Sequence, residues 1–90
     1  GMRVKIIEGM ALGKVVISTS MGADGINYKN RENILIANNK KEFLAHLDWL
    51  HEDKSRIVTI GQKARRLIAK EYDNETIIRD LYGFYGSLIQ

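Results

Sequence analysis

The chain has 90 residues, enough for one domain, and no cysteine that could form a disulfide framework. Hydrophobic residues make up 44% and charged residues 28% of the sequence, the balance of an ordinary globular protein. The net charge of +3 is modest, and the one dense basic cluster, residues 63–66 (KARR), lies inside a helical pattern. We interpret that cluster as a solvated helix face, so the composition argues against a nucleic-acid-binding protein.

Targeting signals are not visible in the sequence. No apolar run approaches the roughly 20 residues that cross a membrane, and no signal-peptide pattern is visible. We therefore expect a cytoplasmic location. Gly1 precedes Met2 as a cloning scar would, so we count the domain as residues 2–90.

The first predicted element is a helix over residues 2–12 that is apolar around most of its circumference. At 100° per residue, one broad arc holds Val4, Ile6, Ile7, Met10 and Ala11. Gly13 is a suitable residue to end this helix. A helix this apolar is normally covered by protein on several sides.

Two short runs without polar alternation predict parallel strands that are buried on both faces, near Val15–Ser18 and at Asn33–Ala37. The stretch between them, rich in glycine and asparagine, predicts a loop. Asn38 and Asn39 turn the chain after the second strand and can cap the next helix.

Three amphipathic helices are predicted to follow, over residues 40–52, 54–72 and 75–89. The apolar stripe of the first contains Phe43, Leu44, Leu47 and Leu50. That of the second contains Ile57, Ile60, Gly61, Ala64, Leu67 and Ile68. That of the third contains Ile77, Ile78, Leu81, Tyr82, Phe84, Tyr85, Leu88 and Ile89.

The predicted fold class is α/β, with two parallel strands, one helix before them and three helices after. Two parallel strands are too few for a stable sheet. The pattern therefore indicates a partial Rossmann-like unit, the end of a larger doubly wound sheet whose earlier part is absent.

Two segments resemble the family-4-like glycosyltransferases of GT-B type. Residues 2–19, MRVKIIEGMALGKVVIST, are similar to that family's K-hydrophobic-hydrophobic-E-A-M-A-x-G-K-P-V-V-x-T signature. Residues 22–26 (GADGI) and 33–37 (NILIA) are similar to its G-x-x-G-I and N-I-L-I-A-D continuation. Residues 62–66 and 71–73 resemble the family's ending, so the resemblance covers about residues 2–88.

The resemblance implies the C-terminal part of a nucleotide-sugar-binding domain, from an enzyme that transfers sugar to a glycan, lipid or polysaccharide precursor. The first glutamate of the family's E-x7-E pair has no counterpart in this sequence. We expect the acceptor domain and the early donor-domain strands to be missing, so that this piece is inactive alone and holds no catalytic residue. A peripheral membrane attachment would come through the missing domain. Gly9, Val15 and Asn38 stand where the family usually has Ala, Pro and Asp.

Glu8 is the main candidate site residue. The resemblance makes it the second glutamate of the pair, which accepts hydrogen bonds from the ribose hydroxyls of the nucleotide-sugar donor. A carboxylate can accept both hydroxyls at once. The alternative is a surface pair between Glu8 and Lys5, one helical turn apart.

Three further residues are candidates for donor binding. The resemblance places the donor diphosphate near the start of the first helix, where free N–H groups and the helix dipole favour an anion. Arg3 and Lys5 add positive charge there, unless they form only a solvated basic turn. Thr19 follows the first strand at the carboxyl edge, where α/β sheets bind ligands; alternatively its hydroxyl satisfies a loop backbone group.

No cofactor or metal is expected. GT-B enzymes generally need no metal, the sequence has no D-x-D cluster, and the spacing of His46 and His51 does not direct both to one ion.

Trp49 points away from the apolar stripe of its helix and either packs on a neighbouring helix or marks an interface. The rival to the enzyme hypothesis is a non-catalytic module. Exposed apolar edges also predict a homodimer, through the Val15–Ser18 strands or the first helices.

Overall fold

The computed structural model describes residues 2–72, in which three helices accompany a sheet of two short strands. The elements in chain order are α1 (Met2–Ala11), β1 (Ile17–Ser18), β2 (Leu35–Ile36), α2 (Lys40–Glu52) and α3 (Ser55–Glu71). The predicted α/β class and the order of these five elements are confirmed. The predicted helix at 75–89 lies outside the described residues.

The two strands are parallel, as predicted, with Ile17 opposite Leu35 and Ser18 opposite Ile36. Backbone N–H groups of Leu35 and Ala37 donate to the carbonyls of Val16 and Ser18 at 3.0 and 2.9 Å. Both strands are shorter than predicted. The expectation of strands buried on both faces is confirmed only for Leu35. Ile36 and both residues of β1 are half-buried, because the sheet formed by residues 2–72 has only these two strands.

The two outer edges of this sheet differ. On β2, the Ile36 N–H donates to Asn30 Oδ1 at 2.9 Å, and the Ile36 carbonyl lies 2.7 Å from His46 Nε2. A carbonyl only accepts hydrogen bonds, so this His46 nitrogen carries the proton. In a parallel ladder alternate residues face opposite edges, so Ile17 directs its N–H and C=O outward from β1. The side chains of Asn30 and His46 thus occupy the hydrogen-bonding groups on the outer edge of β2. The outer edge of β1 is open in the part of the chain described.

The end of α1 is a glycine-dependent turn. Gly13 has φ of +75°, its N–H donates to the Met10 carbonyl, and the Lys14 N–H donates to the Gly9 carbonyl, both at 3.0 Å. These are the two hydrogen bonds of a Schellman motif, and they confirm Gly13 as the residue that ends the helix. The turn lies directly against Gly61 of α3.

The larger core lies between α1, α3 and the loop that joins the strands. It contains Ile6, Ile7, Met10, Ala23, Ile26, Ile34, Ala64 and Ile68. Most of the predicted apolar arc of α1, with half-buried Val4 as the exception, and most of the α3 stripe are therefore confirmed as core. Ile57 is the exception in α3, since 43% of it is exposed.

The apolar stripe predicted for α2 is largely wrong. Phe43, Leu44 and Leu47 are exposed, and the residues that α2 buries are His46 and Leu50. The hydrogen bond between His46 and the Ile36 carbonyl holds that face of α2 against β2. The start of α2 is as predicted, because Asn39 Oδ1 accepts from the Glu42 N–H at 2.8 Å.

Trp49 packs against the smaller core cluster, which includes Ile60 of α3. Two guanidinium groups lie over its ring, with the Cζ of Arg31 at 4.8 Å and the Cζ of Arg56 at 4.5 Å from the ring centroid. Arg56 of α3 also donates to the Trp49 carbonyl at 2.7 Å. The interpretation that this tryptophan packs on a neighbouring helix is confirmed, with cation–π contacts adding to the apolar burial.

Candidate functional site

The start of α1 and the end of β1 meet at the carboxyl edge of the sheet. A Cβ built on Gly22, in the loop after β1, would lie 3.2 Å from Thr19 Oγ1 and 3.5 Å from Met2 Cγ. A Cβ built on Gly25 would lie 3.7 Å from the guanidinium carbon of Arg3. The loop therefore brings Arg3 and Thr19, which are distant in sequence, to one side of the molecule.

Thr19 shapes this loop. Its Oγ1 accepts a hydrogen bond from the Gly22 N–H at 3.0 Å, and its carbonyl accepts from the Ala23 N–H at 3.1 Å. The alternative for Thr19, a hydroxyl that satisfies a loop backbone group, is confirmed. The same hydroxyl retains a proton that it can donate to a ligand.

Arg3 is tied to the end of α3. Its Nη2 donates to the Tyr72 hydroxyl at 3.2 Å, and its guanidinium lies beside Gly25. Gly25 has φ of +87°, which favours glycine at this turn. The charge of Arg3 is therefore held near the first turn of α1, where the helix dipole is also positive.

Lys5 and Glu8 lie further along α1, with Lys5 exposed and Glu8 half-buried. Arg3, Lys5 and Glu8 each have at least one interaction partner. Glu8 lies six positions after Met2, so the Cα of Glu8 is about 9 Å along the helix axis from the start of α1. Glu8 is therefore set back from the edge that holds Arg3 and Thr19.

A pocket of about 440 Å³ opens at the carboxyl ends of both strands. Its walls include Ser18 at the end of β1 and Thr19 just after it, together with Asn38, Lys40 and Phe43 around the start of α2. Except for Thr19, sequence reasoning did not select these residues for the site. The signal that points to Ser18 and Asn38 is their position at or just beyond the end of a strand, at the edge where α/β folds bind ligands.

Asn38 joins the two halves of this edge. Its Oδ1 accepts from the backbone N–H and the hydroxyl of Ser20, at 2.9 and 3.1 Å. Both bonds use an acceptor oxygen, which the carboxylate of the family's usual Asp would also supply. Asn in place of Asp therefore preserves this connection while removing a negative charge from the pocket.

Candidate metal ligands do not cluster at this edge in the described part of the chain. Within residues 2–72 no group of three His, Cys, Asp or Glu side chains could hold a metal ion. His46, set aside as a metal ligand, is buried, and its Nδ1 has no hydrogen-bond partner. At Asp53, which follows α2 and lies away from this edge, hydrogen bonds from the Ser55 hydroxyl and N–H lower the pKa of the carboxyl.

The fold defines an α/β unit with a pocket at the carboxyl edge of its sheet, and comparison with known proteins gives its family. The chain belongs to the glycosyl transferase-like family, whose model matches residues 1–83. It is also 26% identical over 82 residues to a Klebsiella pneumoniae relative described as an uncharacterized 44.6 kDa protein in a cps region.

The relative is much longer than this chain. The match covers 91% of the chain and 21% of the relative, so the chain spans about a fifth of the relative's length. No solved structure matches the chain significantly. None of the helices in residues 2–72 combines the length and apolar character needed to cross a membrane.

Proposed function

We propose that this chain is the C-terminal part of the nucleotide-sugar-binding domain of a retaining, cytoplasmic GT-B glycosyltransferase. It contributes part of the donor site and is inactive alone, because transfer requires both reactants to be held in one cleft. The family match supports the transferase parentage. The single structural observation that carries the proposal is the packing of the first turn of α1 against the loop that follows β1, with Met2 beside Gly22 and Arg3 beside Gly25.

The donor diphosphate, in this proposal, lies at the first turn of α1. Unpaired N–H groups and the helix dipole attract an anion at a helix start. Arg3 is suited to add a charge-assisted hydrogen bond, since its guanidinium presents several donors in a fixed plane. Lys5 adds a second positive charge, and Thr19 contributes its hydroxyl proton.

Glu8 binds the ribose of the donor in the same proposal. Its carboxylate accepts from two hydroxyls, and its half-buried position reduces competition from water. Lys5 lies one turn away, so the same two residues also suit the alternative of an intrahelical ion pair. An experiment on the longer enzyme must therefore distinguish ribose binding by Glu8 from an ion pair between Glu8 and Lys5.

Replacing Glu8 by Gln in the longer enzyme tests the ribose role. We expect Glu8→Gln to weaken donor binding by about 1–3 kcal/mol, the range for hydrogen bonds to a charged group. That loss is roughly 5-fold to 150-fold in the dissociation constant. Calorimetric titration with the nucleotide sugar, or with the matching nucleoside diphosphate, measures it.

Asp48→Asn is the matched control, because Asp48 is an exposed carboxylate on α2 and the change removes the same charge. Its donor affinity should equal that of the unchanged enzyme. Equal donor affinities of the Glu8→Gln and Asp48→Asn variants would mean that Glu8 does not bind the ribose and serves only in an intrahelical pair with Lys5.

We further propose that the isolated chain forms a homodimer through β1. The open outer edge of that strand supports strand pairing in preference to packing of the first helices. In the longer enzyme, an earlier strand of the donor domain would occupy this edge.

A further inference from the structure

A second concave surface lies on the outer face of α3, away from the pocket at the strand ends. We call it the basic cleft: a space of about 390 Å³ between the loop at residues 27–33 and α3. Lys63, Arg66 and Lys70 line it from the helix, and Lys29 lines it from the loop. It includes part of the basic run that the sequence indicates as a solvated helix face.

The loop side of the cleft is held by specific hydrogen bonds. Asn33 Oδ1 accepts from the Lys29 N–H at 2.8 Å, and the Lys29 carbonyl accepts from the N–H groups of Glu32 and Asn33, both at 3.1 Å. Asn27 Nδ2 donates to Glu71 Oε1 of α3 at 3.3 Å. These bonds fix the loop against the helix, so Lys29 is positioned opposite the three cations of α3.

The charges in the cleft are unbalanced. It holds four cations and two carboxylates, Glu32 and Glu71, which leaves a net charge of +2. Among the described residues that line the cleft, no cation lies within 4.0 Å of a carboxylate. The four cations therefore face a shared space without a carboxylate at ion-pair distance, and an anion there would offset their mutual repulsion.

We propose that the basic cleft binds the phosphate groups of a phosphorylated ligand. Lys63, Arg66 and Lys70 follow the i, i+3, i+7 spacing of one helix face and span about 10 Å along its axis. That length suits more than one phosphate, and the cleft volume falls within the usual range for small-ligand pockets. Arg66 supplies planar bidentate donors, and the lysines supply compact positive charges.

This site goes beyond the proposed function because it shares no residue with the proposed donor set. The phosphate could belong to a soluble molecule or to a lipid headgroup, and two probes distinguish these sources. Sodium pyrophosphate tests soluble binding, and vesicles of phosphatidylglycerol with phosphatidylcholine test a headgroup. Amide chemical shifts of the 90-residue chain, followed by NMR during titration, report both affinity and location.

Three substitutions test whether the cleft is responsible. Arg66→Gln should weaken binding of the responsive probe roughly tenfold, as expected for loss of charged hydrogen bonds. Arg65→Gln is the matched control, since it removes the same charge from the adjacent exposed residue that does not line the cleft. It should change affinity less than about twofold. Glu32→Gln should strengthen binding several-fold, because it removes a negative charge from the cleft.

The proposed donor site also attracts phosphate, so Arg3→Gln separates the two sites. Binding that survives Arg3→Gln and weakens with Arg66→Gln supports the cleft. The inference is overturned if neither probe binds, if Arg65→Gln weakens binding as much as Arg66→Gln, or if only Arg3→Gln weakens it. The last result would place the phosphate at the proposed donor site, so it would contradict the cleft without contradicting the proposed function.

Discussion

Replacing Gly61 by alanine should strongly destabilise the chain, although it adds only one methyl group. A Cβ at this position would lie 2.0 Å from the Gly13 carbonyl oxygen and 2.9 Å from its carbon. Both atoms belong to the backbone of the turn that ends α1, so rotation of a side chain cannot relieve the overlap. Separating α1 from α3 would disrupt the larger core.

Two effects oppose each other in Gly61→Ala. Alanine is better than glycine in a helix by about 1 kcal/mol, whereas overpacking a core contact costs about 1–3 kcal/mol and sometimes more. The overlap with backbone at this distance places the cost at the upper end. We expect a net loss of about 2 kcal/mol in the free energy of unfolding, a fall of roughly 10 °C in Tm for a chain this small.

Thermal unfolding followed by circular dichroism measures this loss. Gln62→Ala is the control, because Gln62 is the next residue of α3 and is exposed. Its Tm should stay close to that of the unchanged chain. A Gly61→Ala chain as stable as the Gln62→Ala chain would show that α1 and α3 do not approach at this glycine.

The open edge of β1 should make the isolated chain a dimer. Ile17 directs its N–H and C=O away from β2, and strand edges of this kind pair with other chains. Light scattering at high micromolar concentration should therefore give a mass near twice the 10.3 kDa of one chain. A mass of 10.3 kDa at that concentration would contradict edge pairing.

Proline substitutions distinguish the two edges of β1, because proline removes one N–H. Ile17→Pro removes the outward donor and should give a folded monomer, whereas Ser18→Pro removes the donor that faces β2 and should weaken the fold itself. Helical content from circular dichroism confirms which of the two chains remains folded. A dimer that persists in Ile17→Pro would favour packing through the first helices.

Local sequence patterns predict the helices well because the buried side chains repeat with the helical period. The α1 arc with Ile6 and Met10, and the α3 stripe with Ile60 and Ala64, are core as expected. The helix ends also follow from short-range chemistry, since Gly13 and Asn39 make their hydrogen bonds within a few residues. These features need no knowledge of distant partners.

Which face of α2 is buried, and how long the two strands are, depends on tertiary contacts that the periodicity of the sequence does not reveal. His46 is buried in place of Phe43 because its imidazole meets a carbonyl of β2, a partner defined only by the fold. Strand length likewise depends on pairing. Val16 accepts a ladder hydrogen bond but lies before the first strand residue of β1.

The candidate site could be predicted in part. The family signature and the rule for carboxyl edges predict Arg3 and Thr19 as donor-site residues, and in the structure the first turn of α1, which carries Arg3, packs against the loop that begins at Thr19. The hydrogen bonds from Ser20 to Asn38 and the cleft between Lys29 and α3 join residues remote in sequence, so sequence spacing gave no indication of either.

The most direct test of the donor-site proposal is a crystal structure of the longer enzyme with its nucleoside diphosphate bound. We predict that the Glu8 carboxylate oxygens lie within about 3.2 Å of the ribose hydroxyl oxygens, the outer limit of a good hydrogen bond. The diphosphate should contact the first turn of α1. A nucleotide bound away from α1, with Glu8 paired to Lys5, would contradict the proposal.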